Sequence, residues 1–136
     1  MTNGERADRL LAEASIIAGE MRSALAAGHW NLAARRAQEV VEPMARGLIN
    51  EMGAEYPRTH DPVPALIETI RGRGIAADDA VLEWLRRLSS RLADLRGPAF
   101  YQEIAVREDQ ARGAVEGADK ALEFGRALIV RLRGER

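Results

Sequence analysis

The chain has 136 residues, of which 46% are hydrophobic and 30% charged, so it can bury one core under a solvated surface and is not a disordered polymer. A formal net charge of −1 excludes the strong overall positive charge that favours nucleic-acid binding. The absence of cysteine excludes disulfides, thiolate zinc sites and thiol catalysis.

The first two predicted helices form a hairpin. The first covers residues 5–27, and its apolar side chains recur every three or four positions, at Leu10, Ala14, Ile17, Met21 and Leu25. Gly28 ends it. The second begins at residue 29 or 30, runs to residue 52 and is stopped by Gly53. Because the turn between them is very short, the two helices are predicted to be antiparallel neighbours.

Pro43 lies inside the second predicted helix, where proline is unfavourable. A proline there loses the bond to the carbonyl of Glu39 and is expected to kink the helix axis. The favoured interpretation is a bend that improves packing. The alternative is a bend that aims Glu42 or Arg46 into a groove.

The second half of the chain predicts three more helices. Residues 54–64 hold three prolines and suit a connection, followed by a short third helix from residue 63 to about residue 70. The fourth helix starts at Asp78 or Asp79, and Gly97 with Pro98 ends it. A loop over residues 99–106 leads to the last helix, residues 107–133.

These elements predict an all-α fold, an antiparallel up-and-down bundle of four long helices and one short helix. Gly113, Gly117 and Gly125 in the last helix are expected to let helix backbones approach closely. No repeat or low-complexity tract divides the chain, so residues 1–136 form a single predicted domain. With no signal-peptide pattern and no apolar run of about 20 residues, we expect a cytoplasmic protein without membrane contact.

The two histidines are the first candidates for chemistry. His60, flanked by Arg58 and Asp61, could act as a general base or bind a phosphate, although ordering the connection through ring hydrogen bonds is the favoured interpretation. His29 follows Arg22 with six residues between them, the formal Arg-x(4–6)-His pattern of one class of metal-independent ribonucleases. A histidine at a helix end is the ordinary explanation of that pair.

Two polar groups complete the candidates. Arg35, Arg36, Glu39, Glu42 and Arg46 on the second helix form either a salt-bridge face or a nucleotide contact. Arg96, Phe100 and Tyr101 follow the fourth helix and either close the core or face a ligand. No phosphate loop, metal-ligand spacing or nucleophile elbow is present, so no catalytic residue, cofactor or metal is assigned and nucleic acid is not an expected partner.

Three motifs carry a resemblance to a known family. The second helix contains Ala37-Gln38-Glu39-Val40-Val41-Glu42-Pro43-Met44-Ala45-Arg46, the connection contains Pro57-Arg58-Thr59-His60-Asp61, and Arg96 precedes Tyr101 after the fourth helix. This order resembles the HEPN family (higher eukaryotes and prokaryotes nucleotide-binding), with Arg46 where lysine is usual.

The resemblance implies a helical bundle, a homodimer, and work beside a minimal nucleotidyltransferase or in a toxin–antitoxin pair. The catalytic branch of the family cleaves RNA with an Arg-x(4–6)-His motif near the start of the last long helix. No histidine follows His60 in this chain, so the resemblance points to the non-catalytic branch.

We therefore expect a binding module for a nucleotide or a nucleotidyltransferase partner. Its predicted ligand-binding residues are Glu42, Arg46, Arg58, His60, Arg96 and Tyr101. One alternative is a metal-independent ribonuclease toxin that uses His60 with Arg58 or Arg96. The other is a structural helical interaction protein.

Overall fold

The computed structural model describes residues 1–100 and 105–135, with side chains for residues 1–96 and 105–135. Five helices follow one another in this part of the chain: α1 (Asn3–Ala26), α2 (Trp30–Glu51), α3 (Val63–Gly72), α4 (Asp79–Phe100) and α5 (Glu108–Gly134). No strand occurs in these ranges. The predicted all-α fold, with four long helices and one short helix, is therefore confirmed.

Local sequence signals set most helix ends. The Thr2 hydroxyl accepts a bond from the Glu5 amide at 3.0 Å, and the Glu5 carboxylate accepts one from the Thr2 amide, so α1 begins with a capping box. After α1, Gly28 has a φ of 77°, which only glycine adopts at little cost, and the His29 amide closes the turn on the Ala24 carbonyl. Gly53 ends α2 in the same way, with a φ of 76°.

Pro43, which was expected to kink a helix, and Pro98, which was expected to end one, both lie inside helices. The prediction that Gly97 and Pro98 end the fourth helix is wrong, because α4 continues to Phe100. Proline removes one backbone bond, yet its fixed φ is helical, so a helix can continue through it at a cost. Pro43 is buried inside α2, which runs on to Glu51.

The centre of the core is α2, which contacts each of the other four helices. Its buried side chains include Met44, Leu48 and Ile49, all of them 0% exposed. A helix surrounded in this way buries polar residues as well, among them Gln38 and Glu42. The polar residues of α2 therefore find their partners inside the protein more than in solvent.

Regular cross-links join α1 to α5. Three of them recur at steps of seven residues in each helix: Asp8 with Arg133, Ser15 with Arg126, and Arg22 with Asp119. The residue numbers rise in α1 as they fall in α5, so the two helices are antiparallel. Arg133 also pairs with Glu51 at 2.8 Å, and its hydrogen bonds to Glu51 and Asp8 raise the pKa of the Arg133 guanidinium.

Two of the three glycines in α5 lie at close helix contacts. A Cβ on Gly117 would lie 2.5 Å from Leu88 Cδ1, and one on Gly125 would lie 2.6 Å from Met44 Cγ. The same prediction is wrong for Gly113, which has nothing within 4 Å. Among the described helices, none is both long enough and apolar enough to cross a membrane.

Candidate functional site

The candidate site lies where the polar face of α2 meets the segment that leads into α3, which we call the joint (residues 53–62). Gln38, Glu42 and Arg46 are spaced four residues apart on α2, so their side chains share one face of the helix. The joint crosses this face. Helix geometry aligns these three side chains, and the path of the joint brings His60 to Gln38 and Glu42.

Glu42 is the acceptor at the centre of the site, and its side chain is 11% exposed. Its Oε1 accepts from Arg46 Nη2 at 2.6 Å. Its Oε2 accepts from Gln38 Nε2 at 3.0 Å and lies 3.4 Å from His60 Nδ1. An imidazole that carries its proton on Nδ1 donates to this carboxylate and turns Nε2 away from it.

Arg46 connects α2 to the joint. Its Nη2 donates to the Thr59 carbonyl at 2.8 Å as well as to Glu42, and its guanidinium lies 5.3 Å from the centre of the Tyr56 ring. Two elements of the joint, one carbonyl and one aromatic ring, are thus fixed by a single side chain. Both contacts with oxygen are made by Nη2 of Arg46.

Gln38 and Ser89 were not predicted as site residues. Gln38 is 2% exposed and donates from Nε2 to the His60 carbonyl at 2.6 Å. Ser89 on α4 donates to Asp61 Oδ1 at 2.5 Å and ties the joint to a third helix. The four-residue spacing from Glu42 could have identified Gln38, whereas no local pattern links Ser89 to Asp61.

His60 and Arg58 form the outer surface of the site. The side chain of His60 is 66% exposed, and Arg58 is exposed. Within the described ranges, Arg58 makes no side-chain hydrogen bond or ion pair. The joint therefore exposes two groups that can bind an anion, and also the carboxylate of Glu55, while Glu42 faces inward.

Of the two remaining predicted site residues, the structure describes Arg96 only. Arg96 is on α4, two turns beyond Ser89 and so about 10 Å farther along the helix. Its side chain is half-buried. Tyr101 falls outside the described residues. The structure thus brings Glu42, Arg46 and His60 into contact, with Arg58 beside them.

The first half of α2 forms a salt-bridge face, which is one of the two interpretations of its polar residues. Glu39 accepts from Arg36 at 2.9 Å and lies 3.8 Å from Arg35, and Arg36 also faces Glu20 on α1 at 3.7 Å. These contacts are on the helix surface and contribute little stability each.

The formal ribonuclease pair of Arg22 and His29 lies at the hairpin between α1 and α2. Arg22 forms an ion pair with Asp119 at 2.6 Å. His29 is exposed at the N-cap of α2, and its side chain makes no capping bond there. In the part of the chain that the structure describes, no group of three or more His, Cys, Asp and Glu residues could hold a metal ion.

Comparisons with known proteins agree with the helical fold described above. The model of the HEPN domain family matches residues 7–128. The crystal structure of an archaeal HEPN homologue is similar over 90% of this chain and 97% of that one, with a TM-score of 0.69 and 21% sequence identity. No curated protein matches the chain.

Proposed function

The chain belongs to the HEPN domain family, and from that premise we propose that it is a non-catalytic binding module. The joint binds the phosphates of a nucleotide or docks the acidic surface of a minimal nucleotidyltransferase, in a pair of the toxin–antitoxin type. The proposal gives His60 and Arg58 the role of anion contacts, and it gives Glu42, Arg46 and Gln38 the role of holding the joint in place.

One observation carries the proposal: Glu42 of α2 is engaged beneath the joint, whereas the joint exposes the side chains of Arg58 and His60, together with that of Glu55. Glu42 is 11% exposed and is engaged by Arg46, whereas the His60 ring above it is 66% exposed. Arg58 adds a guanidinium that faces solvent, with donors in the planar arrangement that suits phosphate. Because Arg46 and Gln38 hold two consecutive carbonyls, the exposed groups are presented on ordered backbone.

The nucleotide contact is tested by isothermal titration of the chain with ATP and with GTP. Arg58→Gln and His60→Gln should each weaken binding about tenfold, the loss expected from one charge-assisted hydrogen bond. Arg73→Gln is the control, because Arg73 is also exposed and lies outside the joint, at the C-cap of α3. An absence of heat with both nucleotides would count against this half of the proposal.

The partner contact is tested by co-purification with a minimal nucleotidyltransferase. Arg58→Gln should reduce the recovered complex and Arg73→Gln should not, and added salt should weaken the complex because exposed charges are screened. Equal recovery of both variants would refute docking at the joint. Light scattering on the purified chain checks the homodimer that the family resemblance implies.

A second candidate function, a metal-independent ribonuclease, is favoured by the 3.4 Å contact between His60 Nδ1 and Glu42 Oε2. A carboxylate behind a histidine fixes the ring and frees its other nitrogen for proton transfer. An RNA cleavage assay separates the two functions. If the wild-type chain cleaves RNA and His60→Ala does not, the ribonuclease takes the place of the binding proposal. If the wild-type chain does not cleave RNA, the ribonuclease is excluded.

A further inference from the structure

The carboxylate of Asp61 is an acidic group placed next to the proposed anion contacts. Asp61 directly follows His60 in the joint, and Arg58 lies three residues before it. Opposite charges this close in the chain attract each other. Within the part of the chain that the structure describes, however, no ion pair joins Asp61 to Arg58. Another contact therefore holds this carboxylate.

Ser89 of α4 makes that contact. Its side chain is buried, with only 4% of the residue exposed, and its hydroxyl donates to Asp61 Oδ1 at 2.5 Å. A hydrogen bond between a hydroxyl and an ionised carboxylate is of the stronger, charge-assisted kind. Because the donor is buried, the bond turns the carboxylate of Asp61 toward α4 and away from the outer surface of the joint.

Arg86 adds a cation on the same helix. The pKa of its guanidinium is raised, first by the hydrogen bond to Glu83 and to a smaller extent by the charge of Asp61, so Asp61 lies within electrostatic reach of α4. Arg86 donates to both carboxylate oxygens of Glu83, at 3.0 Å and 2.5 Å, and is already occupied. A released Asp61 would instead find Arg58, which has no ion pair in the described ranges.

The position of Asp61 decides the charge that the joint exposes. The joint contains three charged residues, Glu55, Arg58 and Asp61, and the ring of His60. Glu55 and Arg58 are both exposed, so their charges balance when Asp61 is held on α4. A released Asp61 would make the same surface negative and would compete with any anion for Arg58.

We propose that Ser89 is a specificity-determining residue of the joint, because it holds the carboxylate of Asp61 on α4 and so leaves Arg58 and His60 free for an anionic partner. The inference rests on the proposed function in that the partner of the joint is an anion. Ser89 is a positioning residue, since it acts through Asp61 and is too deeply buried to touch the partner itself.

The electrostatic potential at the joint tests this role without any partner. Dissolved nitroxide radicals relax amide hydrogens, and comparison of a cationic with an anionic nitroxide reports the sign of the local potential. Ser89→Ala should shift relaxation at residues 58–60 toward the cationic nitroxide, and Asp61→Asn should reverse that shift. Asp61→Asn in the wild-type chain should have a smaller effect. Ser90→Ala is the matched control, because Ser90 is the next residue of α4 and makes no side-chain hydrogen bond in the described ranges.

A role of Ser89 limited to anchoring the joint predicts a different pattern. Ser89→Ala would then loosen the joint, and Asp61→Asn would not reverse the change. An unchanged potential in Ser89→Ala, or a shift that persists in the double variant, would therefore overturn the inference. Ser89→Cys repeats the test should the alanine variant not fold, because a thiol is similar in size to a hydroxyl and donates only weakly.

Isothermal titration with inorganic triphosphate extends the test to binding. Ser89→Ala should raise the Kd about fivefold, the effect of an exposed ion pair that the anion must break first. The double variant with Asp61→Asn should bind at least as tightly as the wild type, and a raised Kd that this change does not reverse would contradict the role of Ser89. If the wild-type chain binds no triphosphate while the nitroxide results are as expected, the nucleotide half of the proposed function fails and the role of Ser89 stands.

Discussion

Gly125→Ala tests a close helix contact in the core, where α5 packs on α2. A Cβ at this position would lie 2.6 Å from Met44 Cγ and 2.8 Å from Met44 Sδ. Met44 is 0% exposed, so it has little room to move. Alanine is better than glycine in a helix by about 1 kcal/mol, whereas overpacking a core costs about 1–3 kcal/mol. We expect a net loss of stability of about 1 kcal/mol.

Two other glycines of the same helix serve as matched controls. Gly113 has nothing within 4 Å, so Gly113→Ala should stabilise the chain by up to about 1 kcal/mol. Gly117→Ala meets Leu88 Cδ1 at 2.5 Å, but Leu88 lines a groove of about 540 Å³ between α4 and α5 into which its terminal methyl can turn. The helix gain and the steric cost should nearly cancel there.

Urea unfolding followed by far-ultraviolet circular dichroism measures all three variants. The decisive quantity is the gap between Gly113→Ala and Gly125→Ala, about 2 kcal/mol from the two estimates above. If Gly125→Ala stabilised the chain as much as Gly113→Ala, the reasoning would be refuted. Adding Met44→Ala should remove the cost of Gly125→Ala, because the two changes occupy the same space.

Three further predictions concern charged residues. Arg133→Ala removes the guanidinium that lies 2.8 Å from Oε1 of Glu51, whose side chain is 0% exposed. We expect a loss of about 2 kcal/mol in urea unfolding, below the value for a fully buried pair because Arg133 is 40% exposed. A loss within experimental error would contradict this. A hydrogen bond from Arg86 lowers the pKa of Glu83 below its usual 4.5, so this pair stabilises the fold above that pH, and the stabilisation fades as the pH falls through the lower pKa of the folded chain. Glu83→Gln should therefore flatten the acid side of the stability profile, and an unchanged profile would exclude the effect. Arg46→Ala removes the donor to the Thr59 carbonyl. Hydrogen exchange followed by mass spectrometry should then show faster exchange of amide hydrogens in the joint, while those of α5 stay protected. Equal protection of the joint in the variant and the wild type would show that Arg46 does not hold the joint.

Part of the candidate site could be predicted from the sequence. Glu42 and Arg46 are four residues apart in the favourable order on one helix, and the structure pairs them at 2.6 Å. Gln38 follows the same spacing and could have been included. The acceptors of Gln38 and Arg46 in the joint could not be predicted in this way. They are the backbone carbonyls of His60 and Thr59, and a backbone carbonyl is present whatever the residue type.

Helix ends show the limits of local rules in the same way. Gly28 and Gly53 end helices as predicted, because a left-handed φ is a local property of glycine. Pro98 does not end α4, although a proline removes one backbone bond, and Pro43 lies inside α2 as predicted. The local signal of Gly97 and Pro98 therefore failed to mark the end of α4.

By itself, the sequence determined the all-α class, the number and order of the helices and the polar face of α2. Each of these follows from apolar spacing and turn residues within a short stretch of chain. Only the tertiary structure decided that Asp61 meets Ser89, that the α1–α5 cross-links share one register, and that Trp30 lies in a groove with Arg112. These contacts join residues far apart in the chain, so they depend on how the helices pack and not on any local pattern.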